Sequence, residues 1–186
     1  MYASLPGVEV WDIVRDARTY HGPHPVVCHP PCSRWCRLAG LVEARWGHKR
    51  GEDEGCFELA LASVRRYGGV LEHPAYTTAF RRFGQPKPPT RDWAVGSCGG
   101  FTCQVEQGHY GCQARKATWL YAYDVTLPEM RWGKVNNATA LVSKCVNRVS
   151  RYERRSRLSA YEASRTPPAF RDLLLAMARS STVVPP

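Results

Sequence analysis

The sequence predicts an α/β fold with a largely parallel sheet flanked by helices, and three observations carry that expectation. The runs "HPVVCHPPC", "GGVLEHP" and "ATWLYAYDV" are strand-sized, apolar and bounded by glycine or proline. Two segments with helical periodicity lie between the first and second of these runs. Strand, helix and strand at this spacing describe units whose crossover makes neighbouring strands parallel. With 186 residues, 44% hydrophobic and 23% charged, the chain has enough apolar surface for one compact domain over residues 1–186.

The elements follow in order. "PGVEVWDIVRD" reads as a short strand entering a turn, because Val8 and Val10 alternate with polar residues and Ile13 extends the pattern. "HPVVCHPPC" is a short buried strand stopped by Pro30 and Pro31, which cannot continue a central ladder. From Ser33 the period becomes helical: Trp35, Leu38, Ala39, Val42 and Trp46 share a face, and Gly47 ends it. "GHKRGEDEG" is a polar loop. Phe57, Ala60, Leu61 and Val64 then line a second helix that Gly68 and Gly69 terminate. "GGVLEHP" is a strand ending at Pro74, and "FGQPKPPTRDW" is an irregular connection. "ATWLYAYDV" is the third clear strand. Val142, Cys145, Val146 and Val149 suit a helix, and Thr166 before Pro167 starts a last one carrying Phe170, Leu173, Leu174 and Met177.

Charge and cysteine usage narrow the function. A formal net charge of +10 favours a polyanionic partner, with DNA or RNA the leading candidate. Residues 144–157, "KCVNRVSRYERRSR", carry six cations and one acid, a stripe suited to phosphates. The eight cysteines have no secretory leader to place them among disulfide proteins, and the start "MYASLPGVEVWD" has no basic stretch followed by an apolar one. A cytoplasmic location is therefore expected, with no membrane span. "CHPPC" and "CGGFTC" give C-x3-C and C-x4-C rather than the tight pairs of zinc ribbons, so no metal is expected. Cys56 and Cys145 read as small core residues.

Cys32 is the exception, since a thiol directly after two rigid prolines is in a setting suited to a nucleophile. In a parallel sheet, ligands gather at the carboxyl ends of strands. Cys32 and Glu72 both fall at such ends, which topology would bring to one cleft. A thiolate there can add to C6 of a pyrimidine, and a carboxylic acid can stabilise N3 as charge builds. Pro31 and Ser33 flank the thiol as candidate substrate contacts. Gln113, Arg115 and Lys116 precede the third strand, where a guanidinium could bind the O2 edge of a base or a phosphate.

Read in order, "HPPC", "GGVLEHP" and "YGCQARKATWLYA" resemble the DNA cytosine-5 methyltransferase family, a Rossmann-like fold. The family has a Pro-Pro-Cys nucleophile loop, a strand ending in Glu-Asn-Val, and a Tyr-Gly-x-x-Gln-x-Arg-x-Arg segment before a strand. Pro31 and Cys32 match the first and Glu72 the second; Tyr110, Gly111, Gln113 and Arg115 match the third. "PGVEVWDI" is similar to the strand before the Cys loop, which implies that Asp12 meets the adenine of the cofactor. "SRTPPAFRDLLLAMAR" is similar to the family's final helix.

The chain also departs from that pattern. Ala117 stands at the second arginine, leaving Lys116 or Arg115 to replace it, and His73 follows the glutamate in place of asparagine. Only 31 residues precede Cys32, so no glycine-rich Phe-x-Gly-x-Gly cofactor segment is expected. Residues 125–160 are too few for a large target-recognition domain, so the domain is truncated relative to a full methyltransferase. The resemblance implies S-adenosylmethionine; without that segment its binding would depend on an unusual pocket or a second protein subunit.

The expectation is a cytosine-modifying enzyme on DNA, with catalytic Cys32, Glu72 and Arg115. Its compact, basic chain would suit a phage product. The alternative is a catalytically inactive DNA-binding module or a partner subunit of a methyltransferase. A nucleotide enzyme resembling thymidylate synthase ranks last, because Ser33 rather than histidine follows the cysteine.

Overall fold

The computed structural model describes residues 2–141 and 156–183. The elements are β1 (Val26–Cys28), α1 (Ala39–Trp46), α2 (Cys56–Tyr67), β2 (Gly69–Pro74), α3 (Thr78–Arg82), β3 (Ala94–Val95), β4 (Phe101–Glu106) and β5 (Ala117–Tyr123). They continue with β6 (Ala140–Leu141), β7 (Ser156–Arg157), α4 (Ala160–Ser164) and α5 (Pro168–Arg179). Five strands form one open sheet in the order β1-β2-β5-β4-β3, and β6 pairs with β7 apart from it.

The α/β class holds, but the sheet is mixed rather than largely parallel. β1 and β2 run parallel, whereas β2–β5, β5–β4 and β4–β3 are antiparallel. The cause lies in the connections. Parallel neighbours need a crossover of about a dozen residues or more. Residues 29–68, with α1 and α2, provide one between β1 and β2, but β4 and β5 are joined only by residues 107–116. β4 itself was not expected from the sequence, although Thr102, Cys103, Val105 and Glu106 are buried in it.

Helices cover both faces. Phe57, Leu61 and Val64 of α2 and Phe80 of α3 pack with Leu71, Trp119 and Tyr121 on one side. Phe170, Leu174 and Met177 of α5 pack with Val70, Cys103, Val105, Leu120 and Ala122 on the other. Alternation along β2 therefore sends Leu71 toward α2 and Val70 toward α5.

Two other local expectations change. "PGVEVWDIVRD" forms no strand beyond an isolated Asp12–Asp16 bridge, and Ile13 is 97% exposed. The first helix starts at Ala39 rather than Ser33, and Leu38, Leu41 and Trp46 are exposed. Its stop is as expected: Gly47, at φ 67°, donates its N–H to the Glu43 carbonyl. Trp35 belongs instead to a preceding turn, in which the Cys32 carbonyl accepts from the N–H groups of Trp35 and Cys36 at 3.0 and 2.9 Å. Gly69, at φ 125°, carries the chain from α2 into β2 so close to β1 that a Cβ there would meet the Val26 carbonyl.

Among the described residues no helix is long and apolar enough to cross a membrane. The helix expected around Val142, Cys145, Val146 and Val149 lies outside the described residues, as does the basic stripe over 144–155.

Candidate active site

β1 and β2 are parallel neighbours in register, Cys28 opposite Leu71, so the residues just beyond meet at one end of the sheet. Glu72 follows Val70 on the α5 face and His73 follows Leu71 on the α2 face. On the chain leaving β1, prolines 30 and 31 hold the loop extended, and Cys32 begins the turn described above.

That turn is anchored from two sides. The indole Nε1 of buried Trp35 donates to Asp53 Oδ2 at 2.7 Å, and the same oxygen accepts the Phe57 N–H at 2.9 Å at the start of α2. The Trp35 carbonyl accepts from the Thr78 N–H at 2.8 Å. The thiol is thus carried on a loop tied to α2 and α3, the preorganisation a nucleophile requires.

Glu72 is 8% exposed and its carboxylate is surrounded by donors. Oε2 accepts from His29 Nδ1 at 2.9 Å. Oε1 accepts from Gln107 Nε2 at 3.1 Å and from the Thr118 hydroxyl at 3.2 Å. Burial pushes the Glu72 carboxyl up, but the hydrogen bond and charge of His29, with Lys116 and His73, outweigh it and hold it below the usual carboxylate range. Since a carboxylate only accepts, Nδ1 of His29 must carry a proton. On its far side His29 Nε2 meets the Tyr2 hydroxyl at 2.8 Å. In the neutral ring Tyr2 donates to Nε2, and a chain of hydrogen bonds runs Tyr2–His29–Glu72–Thr118.

Cys32 is partly buried, and its thiol is raised above the ordinary value by desolvation first, then by Cys36 and Glu72, against a lowering by Lys116. The resting group at neutral pH is therefore the thiol, which must lose its proton before attack. The Lys116 charge lowers both the Cys32 thiol and the Glu72 carboxyl, while Glu72 raises the thiol. Lys116 Nζ is held by the Arg165 carbonyl at 3.0 Å.

The other expected residues stand as follows. Arg115 Nη2 pairs with Glu106 Oε1 at 3.1 Å, with its side chain 47% exposed, rather than with Glu72. Gln113 is exposed, and its carbonyl accepts from the N–H groups of Thr139 and Ala140. Pro31 and Ser33 are exposed on either side of Cys32. Both line a groove of about 1170 Å³ that runs along β1 and is bordered by Trp11, Asp12, Tyr20 and Val27. Asp12 Oδ1 accepts the N–H groups of Val14 and Arg15 at 2.7 and 3.3 Å, closing its own turn. Tyr110 packs its ring on Phe170, and its hydroxyl accepts the Arg131 N–H at 3.0 Å.

Sequence reasoning passed over His29, Tyr2, Gln107 and Thr118. A signal existed for His29: two residues after Val27, it lies on the face that Glu72 shares. Nothing local marked Tyr2 or Gln107, which arrive from distant segments. His73, which stands where the resembling motif has asparagine, is fully buried with neither ring nitrogen hydrogen-bonded. It lies edge-on to Phe57 and beside the Pro31 carbonyl, and desolvation lowers it to about 4. His109, by contrast, bonds the Gly133 carbonyl at 3.2 Å. Seven described cysteines are free, and no group of three or more His, Cys, Asp or Glu among the described residues could hold a metal ion. Comparison with protein-family models, curated proteins and solved structures finds no match to this chain.

Proposed function

We propose that the chain is a pyrimidine-modifying enzyme acting on cytosine in DNA, with a Rossmann-like catalytic core of the cytosine-5 methyltransferase type. The observation that carries this reading is the parallel register of β1 and β2, which brings His29, three residues before Cys32, to Glu72 at 2.9 Å and so sets the thiol loop beside the end of the strand that carries the carboxylate. In the addition step the Cys32 S–H bond breaks and its proton passes to solvent. An Sγ–C6 bond then forms, the electrons of the C5–C6 double bond shift into the ring, and N3 gains a proton through Glu72. Lys116 supplies positive charge beside both groups and stands in for the second arginine of the resembling motif. Arg115, with its side chain 47% exposed beside Glu106, is assigned to substrate contact, as are Gln113, Pro31 and Ser33.

C5, made electron-rich, then takes an electrophile. S-adenosylmethionine, when bound, would supply a methyl group, and the groove bordered by Asp12 exceeds the roughly 300–1,000 Å³ of ordinary small-molecule pockets. A second protein subunit could complete cofactor or DNA binding, and the basic chain favours a cytoplasmic, DNA-bound setting.

The second reading, an inactive DNA-binding module or methyltransferase partner, draws on the raised Cys32 thiol and on the Arg115–Glu106 pair. Tritium release from DNA labelled at cytosine C5 separates the two. Release by the wild type and not by Cys32→Ala, with or without S-adenosylmethionine, is expected. No release under any condition while DNA is still bound would replace the enzyme with the binding module.

A further inference from the structure

We propose that His29 is the positioning and proton-supplying residue of this site, recharging Glu72 each time that carboxyl protonates the base; the proposal rests on the cytosine-addition reading above. The site holds an apparent contradiction. Base activation needs a proton on Glu72, yet the resting carboxylate is ionised and its oxygens already accept three hydrogen bonds. One of those three donors must be able to release a proton.

Two can be eliminated by chemistry. The Gln107 amide and the Thr118 hydroxyl are far too weakly acidic to lose a proton near neutral pH. An imidazole can both release and take up a proton at its ring nitrogens, which leaves His29. Its placement fits the role. The side chain is 28% exposed while Glu72 is 10% exposed, so the ring connects solvent to a buried carboxylate. Tyr2 closes the far nitrogen at 2.8 Å and, as hydroxyl, can accept from the imidazolium or donate to the neutral ring.

The imidazolium gives its Nδ1 proton to Glu72 Oε2 as Glu72 gives a proton to N3 of the base. His29 is left neutral with its remaining proton on Nε2, which keeps donating to the Tyr2 hydroxyl oxygen. When Sγ leaves C6, the N3 proton returns along the same path through Glu72 to Nδ1 and restores the imidazolium. Tyr2 itself does not ionise, since burial and then the Glu72 charge raise its phenol further. The charged and titratable groups around the pair are Tyr2 from the N-terminal segment, Cys32 from the loop, and Glu72 and His73 from β2. Lys116 before β5 and Arg171 and Asp172 of α5 complete the set.

The test is C5 tritium release across pH for wild type, His29→Asn, Glu72→Gln and the double variant. Asparagine can still donate to Glu72 but cannot titrate, so positioning survives and proton supply does not. His29→Asn is expected to slow release by about 10²-fold. It should also abolish the fall in rate that wild type shows as pH rises and the imidazolium is lost. The double variant should be no slower than Glu72→Gln, because both substitutions break one relay. An unshifted pH profile at full rate in His29→Asn overturns the proposal and leaves the cytosine reading standing. Absence of release in the wild type overturns both. Nitrogen-15 shifts of the wild-type ring give a check independent of any variant: the Nδ1-protonated tautomer is expected, and the Nε2-protonated tautomer overturns the relay.

Discussion

Acidification should unlock the Cys32 loop through His73. The ring is fully buried, its nitrogens have no hydrogen bonds, and desolvation lowers it from 6.5 to about 4 against the opposing effects of Glu72, Pro31 and Asp53. The native state therefore holds the neutral ring, while an unfolded chain takes up a proton near pH 6.5. Between these values the unfolded state binds more protons, so stability is complete above about 6.5 and is lost as pH falls toward about 4. The gap amounts to about 3 kcal/mol in all, of which about 2 kcal/mol is already lost by about pH 5. That is a large share of the roughly 5–15 kcal/mol of a typical domain. Denaturant unfolding of wild type and His73→Leu at several pH values isolates the effect, because every other titrating group is common to both. The leucine variant also removes two unpaired nitrogens from the core, so at neutral pH it should be no less stable by more than about 1 kcal/mol. Wild type should lose about 2 kcal/mol more than the variant between about pH 7.5 and about pH 5. Parallel stability curves would show that protonation of His73 is not opposed by folding, and the argument from its burial would fail.

Other expectations follow from named contacts. Glu72→Gln should slow tritium release by about 10² to 10⁴-fold, the span of a positioned general acid, and a wild-type rate would make Glu72 structural. The same variant should resist mild acid better than wild type in a melting experiment. The depressed Glu72 carboxyl contributes stability above the ordinary value of 4.5 that is lost as pH falls below it. Asp53→Ala removes the shared acceptor of Trp35 and Phe57 and should lower unfolding free energy by about 2 to 4 kcal/mol, read from denaturant midpoints. It should also impair tritium release, because the Cys32 turn loses its anchor. Gly69→Ala drives a Cβ into the Val26 carbonyl at a strained φ of 125°. A loss on the order of 3 kcal/mol is expected, and a change within about 0.5 kcal/mol would mean the β1–β2 approach is not as close as described.

Much of the scaffold could be read from local pattern. Phe57, Leu61 and Val64 repeat with helical spacing, Gly68 and Gly69 end that helix, and Pro30 and Pro31 stop β1, all consequences of backbone and periodicity within a few residues. The parallel pairing of β1 and β2 was also legible, because the crossover through α1 and α2 lets the two strands run the same way. The expected first turn of α1 was not formed, since burying Trp35 against Asp53 outweighs helical periodicity.

What the sequence by itself determined is thus the α/β class, three strands and the helices α2 and α5 with their stops, and the parallel pairing of β1 with β2. The tertiary structure alone decided the direction of the remaining strands, since β4 was hidden in a stretch read for its cysteines and its short link to β5 imposes an antiparallel pair. It also decided the ionisation of the site. His29, Gln107 and Thr118 meet Glu72 from three separate segments, and Tyr2 reaches His29 from a fourth. Charge states depend on distance and burial in space, which no local pattern along the chain encodes.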